Sequence, residues 1–263
     1  MTKRIHLTPD EAAAKGVRCR THLKADRLMP KPGARPAGSV WQGQGAYYVY
    51  GSADCVPWRW TPGPAQLRRR SIAAQAHYLI AAECVVLDTE TTGLGYDDEV
   101  CEIAVVDVNG APILDTLVRP TRPIPAEATE IHGITDEMVA SAPSWPQLAE
   151  RFEAAVAGRK VVAYNALFDQ RLVWQTYERH GSTAPQMSTA CAMKMYGVWH
   201  GEWNHRYLSW TWQKLVDAAT ECGSVGEGAH RALADARMAL GVLRYLQRCK
   251  SGRRLPSAKA RFA

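Results

Sequence analysis

The sequence lacks the features that would place it in a membrane or a secretory pathway. It has no run of about 18 consecutive apolar residues, the length that a membrane-spanning helix needs. The opening segment, MTKRIHLTPDEAAAKG, lacks the apolar stretch of a secretory signal. The seven cysteines are odd in number and form no C-x-x-C pair, which disfavours a zinc ribbon, a redox dithiol and a disulfide framework. We therefore expect reduced thiols and a cytoplasmic location.

The net charge of +6 is unevenly distributed along the chain. Residues 1–80 hold 13 Lys/Arg against 4 Asp/Glu, and residues 251–263 hold 4 against none. Residues 81–250 hold 15 against 22 and are therefore acidic. Basic ends suit a polyanion and an acidic middle suits cations, although solvated surfaces and a frayed tail would give the same counts.

Composition divides the chain into three parts. Residues 1–80 are rich in proline and glycine and include the aromatic strand candidate AYYVY, so we expect a small basic β-rich module with a linker. The segment Trp58-Arg59-Trp60 within it would suit either a nucleic-acid strand or a protein partner. Residues 81–250 are expected to form the main domain, and residues 251–263 a basic tail.

The pattern of residues 81–250 predicts an α/β fold. CVVLDTET, VCEIAVVDV, PILDTLVRP and KVVAYNA read as strands, and Asn109-Gly110 predicts a hairpin turn between the second and the third. Helices are expected to start at Ser144, after Asn165, around WTWQKLVDAATECG and at HRALADARMALGVLRYLQRC. A mixed sheet flanked by helices accommodates this order.

Four acidic residues are candidates for a metal site. Asp88 and Glu90 stand two residues apart at the end of an apolar strand, so both carboxylates project from one face. Asp169 and Asp235 lie in later helices. Converging carboxylates are the ligands that Mg²⁺ or Mn²⁺ prefers, and two such ions can hydrolyse a phosphodiester. Any one of these acids alone would be read as a solvated surface charge.

Three ordered segments carry a family resemblance. LDTETTGL (87–94), NALFD (165–169) and HRALAD (230–235) resemble the signature segments of the DEDDh, or DnaQ-like, 3′→5′ exonucleases, a family that includes the proofreading subunit of bacterial replicative DNA polymerase. IHGIT followed by Asp136 resembles a further segment of that family, and the match covers about residues 83–250. The resemblance implies an RNase H-like fold.

The resemblance also implies roles for particular residues. Asp88, Glu90 and Asp235 would hold the ion that activates water, Asp88 would bridge to a second ion with Asp169 nearby, and His230 would be the general base. A histidine with ordinary titration is mostly neutral at pH 7–8 and can accept a proton. We expect His230 just ahead of the last helix.

Substrate contacts are implied at seven further positions. The turn after the first strand would bring backbone N–H groups to the terminal nucleotide, with glycine allowing close approach and leucine wedging against the last base. An asparagine would bind the nucleic-acid backbone, and a phenylalanine would stack on a base or pack in the core. These positions are Thr91, Thr92, Gly93, Leu94, His132, Asn165 and Phe168.

The sequence therefore predicts a two-metal 3′→5′ exonuclease that acts on DNA, at single-stranded or frayed 3′ ends, and releases nucleoside 5′-monophosphates. An RNA-directed enzyme and a non-catalytic nucleic-acid-binding or polymerase-accessory protein remain alternatives. A polymerase is a candidate partner, although a stand-alone nuclease fits the added N-terminal block equally well. Trp199 and Trp203 suit either base stacking or a clamped loop, whereas Trp212 and Leu215 are expected in the core.

Overall fold

A computed structural model describes residues 5–42, 45–57, 62–226, 228, 230–250 and 252. The Trp58-Arg59-Trp60 segment and almost all of the basic tail, both considered above, lie outside the described residues. The chain divides into two units, Met1–Pro62 and Gly63–Ala263.

The first unit combines short strands with two short helices. Its elements are β1 (His6–Leu7), α1 (Pro9–Ala14), β2 (Arg18–Cys19), α2 (Arg20–Ala25), β3 (Leu28–Pro30), β4 (Gly38–Gln42), β5 (Gly45–Tyr50), a 3-10 turn (Ser52–Asp54) and β6 (Cys55–Pro57). Four strands form a sheet in the order β1-β4-β5-β2, and β3 pairs with β6. The aromatic strand expected from AYYVY is β5, which pairs with β4 in antiparallel register.

The second unit begins with a helix whose residues fall almost entirely within 1–80, the part that was expected to form a basic module with a linker. This helix, α3 (Pro64–Ala81), buries one side of its surface, including Ile72, Ala76 and Leu79. These residues join the main core cluster together with the last helix of the chain. The sequence boundary between the two units therefore lies between residues 62 and 63, earlier than the boundary expected at 80–81.

A mixed five-stranded sheet forms the centre of the second unit. Its strands are β7 (Val85–Thr91), β8 (Val100–Val106), β9 (Pro112–Leu117), β10 (Lys160–Ala163) and β11 (Ser188–Cys191), in the spatial order β11-β10-β7-β8-β9. β10 runs parallel to both β7 and β11, whereas β7, β8 and β9 form an antiparallel meander. The mixed sheet expected from the sequence is confirmed.

Helices cover both faces of this sheet. They are α4 (Ala126–His132), α5 (Asp136–Val139), α6 (Trp145–Val156), α7 (Ala166–Arg179), α8 (Ala192–His200), α9 (Leu215–Cys222) and α10 (Ala232–Arg248). Alternation along β7 directs Val86 toward the cluster of α3, α8, α9 and α10, and Val85 and Leu87 toward the cluster of α6 and α7. The short helices α4 and α5 had not been expected.

Local sequence signals account for the ends of these elements. Gly110 has φ +85° in the turn between β8 and β9, and the Asp107 carboxylate accepts hydrogen bonds from the N–H groups of Asn109 and Ala111. Ser144 caps α6 through a capping box with Gln147, as the sequence indicated. The hairpin and the helix start are both confirmed.

The tryptophan-rich segment differs from expectation in part. Trp199 is fully buried and packs against Tyr196 and Tyr245, so it is a core residue and not a stacking platform. The expectation that Trp212 packs in the core is wrong, because it is 62% exposed and α9 starts only at Leu215. Among the described residues, no helix is long and apolar enough to cross a membrane.

Candidate active site

The acidic pair lies at the end of the central strand β7. Asp88 and Glu90 project from the face that α10 covers, whereas Thr89 between them projects toward α7. Asp88 is opposite Ala104 and Glu90 is opposite Glu102 on the antiparallel neighbour β8. The strand end therefore presents two partly buried carboxylates to the first turn of the last helix.

Asp235 completes a compact group of three carboxylates. It lies in the first turn of α10, which packs against β7 and β8. One carboxylate oxygen from each of Asp88, Glu90 and Asp235 lies within 4.8 Å of the other two. The three come from one strand and one helix that are far apart in sequence, and their spacing suits a shared cation.

His230 lies two residues before α10 and is exposed. Its backbone is left-handed, with φ +64°, an uncommon conformation for a residue other than glycine. The His230 N–H donates to Oδ1 of Asp235 at 3.2 Å. The histidine is thus tied through its backbone to one of the three clustered acids, and its side chain is accessible from solvent.

Asp169 approaches the same strand end from the other face of the sheet. It lies in the first turn of α7 and is 4% exposed, and its Oδ1 accepts a hydrogen bond of 3.0 Å from Thr89 Oγ1. Asp169 is not one of the three acids whose oxygens converge, yet its charge contributes to the raised pKa of Asp88. The strand end is therefore flanked by a fourth carboxylate.

The pKa values of these acids reflect burial and mutual repulsion. Burial, followed by the charges of Asp169 and the other carboxylates, raises the pKa of Asp88 well above its ordinary value. Burial and the charge of Asp235 raise the pKa of Glu90 to about 8, and burial raises the pKa of Asp169 to about 7. Burial also raises the pKa of Asp235. Without a cation this group retains protons near neutrality, which a bound divalent ion would displace.

A fifth carboxylate lies beside the group and was not expected from the sequence. Glu102 is 3% exposed on β8, and Arg231, the residue after His230, donates from Nε to both of its oxygens at 3.0 and 3.1 Å. Its Oε2 also accepts from the N–H of Ala232 at 2.9 Å. One sequence signal was available, because a glutamate inside the apolar run VCEIAVV needs a buried partner.

The turn that follows β7 is organised by internal hydrogen bonds. Thr91 and Thr92 are buried, and the Thr92 N–H donates to the carbonyl of Glu99 at 2.9 Å. Thr92 Oγ1 donates to Asp98, and Thr91 Oγ1 donates to the carbonyl of Gly93. The expectation that these two threonines offer free N–H groups to a nucleotide is therefore not met at Thr92, whose N–H is used inside the turn.

Gly93 is required by its neighbour Asp98. A β-carbon at this position would lie 2.6 Å from Oδ2 of Asp98, the carboxylate that accepts from Thr92 Oγ1 and from the N–H of Gly95. The glycine thus permits close packing within the turn, in addition to any approach of substrate.

We predict that Gly93→Ala destabilises the protein by about 1–3 kcal/mol, because the added methyl overpacks the turn and displaces the Asp98 carboxylate. Urea unfolding followed by circular dichroism measures the change. Gly226→Ala is the matched control, since a β-carbon there meets nothing within 4 Å. Equal stability of the two variants would contradict this account of Gly93.

Exposed side chains surround the entrance to this strand end. Leu94 is 78% exposed and Tyr96 is 87% exposed, and Arg171 donates to the carbonyl of Leu94. The guanidinium of Arg171 lies 5.5 Å from the ring of Phe168, which is partly buried against the core of α6 and α7. Asn165 is exposed at the start of α7. Leu94 and Asn165 are accessible to a substrate, whereas the Phe168 ring packs partly against the core and partly against Arg171.

His132 occupies an internal position. It is 6% exposed, and its Nδ1 accepts from the N–H of Ile134 at 3.0 Å. The ring proton therefore lies on Nε2, which donates to the carbonyl of Thr91 at 3.3 Å. Burial lowers the pKa of this imidazole and keeps it neutral. These contacts hold His132 against the end of β7, and a contact of His132 with substrate stays a prediction.

Comparison with known proteins agrees with this arrangement. The family described as Exonuclease (RNase T) matches residues 85–243. An uncharacterized exonuclease, CP81, of Escherichia phage 186 is 44% identical over 180 residues, which cover 66% of this chain and 92% of that protein. The DNA polymerase III subunit epsilon of Treponema pallidum (strain Nichols) is 30% identical over 159 residues, which cover 58% of this chain and 71% of that protein.

A solved structure shares the fold. The nuclease domain of 3′hExo, a DEDDh family member bound to rAMP, superposes with a TM-score of 0.50 at 16% identity, covering 67% of this chain and 97% of that one. The mixed sheet, its flanking helices and the carboxylates at its central strand define an RNase H-like nuclease fold. Within that class, the chain belongs to the exonuclease family.

Proposed function

We propose that this protein is a metal-dependent 3′→5′ exonuclease that removes nucleotides from single-stranded or frayed 3′ ends of DNA. The observation that carries the proposal is the convergence of Asp88, Glu90 and Asp235 beside His230. Family membership supports the hydrolysis, and the naming of the Treponema pallidum relative as a polymerase III epsilon subunit supports DNA as the substrate.

The site fits two divalent cations such as Mg²⁺ or Mn²⁺. All the converging atoms are carboxylate oxygens, the hard ligands that these ions prefer. Burial and mutual repulsion raise the pKa values of Asp88 and Glu90, so a bound cation would stabilise their ionised forms. Asp88, Glu90 and Asp235 would hold one ion, and Asp88 with Asp169 would hold the second. When bound, the ions would acidify the attacking water and stabilise negative charge on the leaving oxygen.

The remaining chemistry belongs to the side chains of the protein. His230 accepts a proton from the attacking water, whose oxygen forms a bond to the phosphorus of the last phosphodiester. The bond from phosphorus to the 3′ oxygen of the penultimate nucleotide breaks, and a nucleoside 5′-monophosphate is released. Leu94 and Asn165, which are exposed at the strand end, would orient the terminal nucleotide.

Degradation of 5′-labelled strands tests the function. The purified protein is incubated with DNA or RNA of the same sequence, with Mg²⁺, Mn²⁺ or EDTA, and with Asp88→Ala as the inactive control. We expect a metal-dependent ladder that shortens from the 3′ end on DNA. Faster degradation of RNA would reassign the substrate, and intact strands of both kinds would favour a non-catalytic binding protein.

Metal binding is expected to be linked to pH and to stability. The pKa of Glu90 is about 8 and that of Asp169 about 7, both raised above the values near 4 of an unfolded chain. Acids shifted in this direction favour the folded state at low pH, and this contribution is lost as pH rises from about 4 to about 8. The metal-free protein should therefore lose stability over that range.

We expect the Tm of the metal-free protein to fall as pH rises from 5 to 8. The fall should be about 2–4 °C for each kcal/mol of unfolding free energy that is lost. Mn²⁺ or Mg²⁺ should raise Tm, and more at pH 8 than at pH 5, because fewer protons must be displaced. Thermal unfolding with and without EDTA provides the measurement. An increase in Tm of the same size at both pH values would argue against binding at these acids.

A replicative polymerase is the protein partner that we propose to test. The relative from Treponema pallidum is named as a polymerase III epsilon subunit. Size-exclusion chromatography of the chain with a polymerase III catalytic subunit would show co-elution if the two associate. Separate elution would favour a nuclease that acts alone.

A further inference from the structure

We propose that the ion pair between Glu102 and Arg231 positions His230 for its role as general base. This inference rests on the proposed function, in which His230 accepts the proton of the attacking water. Neither Glu102 nor Arg231 contacts the reacting atoms in this scheme, so both are positioning residues.

The pair joins the central sheet to the start of the last helix. Glu102 lies on β8 opposite Glu90, so its side chain leaves the same face of the sheet as the clustered acids. The Arg231 side chain reaches it with Nε and Nη2, and Oε2 also accepts from the N–H of Ala232, the first residue of α10. A carboxylate on a strand thus caps the helix, whose own N-cap residue, Arg231, makes no side-chain cap.

This attachment fixes the backbone on one side of His230. The next residue along the chain, Arg231, is held to the sheet by its side chain, and Ala232 is held by its N–H. His230 itself adopts φ +64°, and its N–H donates to Asp235. A residue without a glycine's freedom keeps such a conformation only where its surroundings impose it. The Glu102–Arg231 pair is the restraint adjacent to it.

Glu102 is distinct from the proposed metal ligands. Its oxygens are occupied by Arg231 and Ala232, and it is not among the three acids whose oxygens converge. The Arg231 side chain is 44% exposed, so its guanidinium can be hydrated if its partner is removed. Loss of the ion pair is therefore expected to free the backbone around His230. The three converging carboxylates should stay in place, and the protein should remain folded.

Two substitutions disrupt the pair in different ways. Glu102→Gln leaves one acceptor oxygen for the donors of Arg231 and Ala232, and Arg231→Lys keeps the charge but removes the planar fork. Asp115→Asn is the matched control, because Asp115 is exposed on β9 and interacts with Arg231 through its charge. If the geometry of the Glu102–Arg231 pair positions His230, both disrupting variants should hydrolyse DNA more slowly. The control should retain the wild-type rate.

The expected result is a fall in kcat of about 10- to 100-fold for Glu102→Gln and Arg231→Lys, since small misplacements of a catalytic group have effects of this size. KM and the affinity for Mn²⁺, measured by calorimetry, should change little. Full activity of Arg231→Lys would show that only its charge is needed and would overturn the positioning role.

A double-mutant comparison separates positioning from a general structural effect. If Glu102 acts through His230, adding Glu102→Gln to His230→Ala should cause little further loss of kcat. If the two losses multiply, Glu102 acts independently of His230 and the proposal is wrong. Unfolding curves of all variants verify that the compared proteins are folded.

The proposed function and this inference can fail separately. If the wild-type protein degrades neither DNA nor RNA, the proposed function fails. The contact itself is then tested by hydrogen exchange at the N–H of Ala232, which accelerates in Glu102→Gln but not in Asp115→Asn if Glu102 holds the helix start. Unchanged exchange in Glu102→Gln would overturn the inference as well.

Discussion

Replacing Asp88 by alanine is expected to abolish hydrolysis and to leave the fold intact. Asp88 is the acid that the other carboxylates approach from both faces of the sheet, through Asp235 and Glu90 on one side and Asp169 on the other. Its loss removes the shared ligand of both proposed ions. Because such ions supply several kcal/mol of transition-state stabilisation, we expect a rate loss of about a thousandfold or more.

Although Asp88→Ala should lose activity, its stability in the absence of metal should not fall. Burial and repulsion raise the pKa of Asp88, so its ionised form costs free energy in the metal-free protein at neutral pH. Asp88→Ala should therefore unfold at an equal or higher temperature than the wild type in EDTA, and should gain less from added Mn²⁺. Most substitutions of a buried residue do the reverse, which makes the combination of lost activity and retained stability informative.

An acid outside the site provides the control for this experiment. Asp217 is exposed on α9, and Asp217→Ala should hydrolyse labelled DNA at the wild-type rate. Wild-type turnover by Asp88→Ala would refute the proposed metal site. Loss of activity accompanied by loss of the folded state would leave structural damage as the explanation, and Asp88→Asn, which conserves volume, would then decide between the two.

The sequence was most informative where one residue type has one dominant structural use. Ser144 predicted the start of a capped helix, and Asn109-Gly110 predicted the hairpin, because these signals are local. The alternation of Asp88 and Glu90 in a strand likewise placed both carboxylates on one face. Each of these predictions needs only the geometry of a few consecutive residues.

What the sequence did not predict depends on contacts between distant segments. Glu102 and Arg231 are 129 positions apart, and neither pattern nor periodicity pairs them. His132 lies in a segment with a family resemblance, yet its burial beneath the carbonyl of Thr91 becomes visible only when α4 packs against β7. Trp212 was assigned to the core because a helix was expected to begin there, but α9 starts only at Leu215 and Trp212 is exposed.

The boundary of the N-terminal part was missed for a related reason. The helix α3 carries three consecutive arginines and lies almost entirely within residues 1–80, which were expected to form a basic module with a linker. Two of them, Arg68 and Arg69, donate instead to the carbonyls of Val198 and Trp199 at the end of α8. Cationic side chains at a helix C-terminus are favourable, so a charged run that reads as a solvated surface is here part of the packing of the nuclease unit.

Replacing His230 by alanine is expected to lower kcat by about 10²- to 10⁴-fold, the usual contribution of a general base. The three residues whose ligand atoms converge are all acids, and His230 is not one of them, so the affinity for Mn²⁺ should be retained. This separates the variant from Asp88→Ala, which should lose both activity and metal affinity. Single-turnover hydrolysis of a labelled strand, with calorimetric titration of Mn²⁺, measures the two quantities.

Exposure of His230 allows a sharper test of its chemistry. Since its side chain is open to solvent, added imidazole can enter the space left by His230→Ala and accept the proton in its place. We expect imidazole to restore part of the lost rate in this variant and to have no effect on Asp88→Ala. His77→Ala, on the exposed side of α3, is the control and should keep the wild-type rate. A His230→Ala protein with full activity would show that another group accepts the proton.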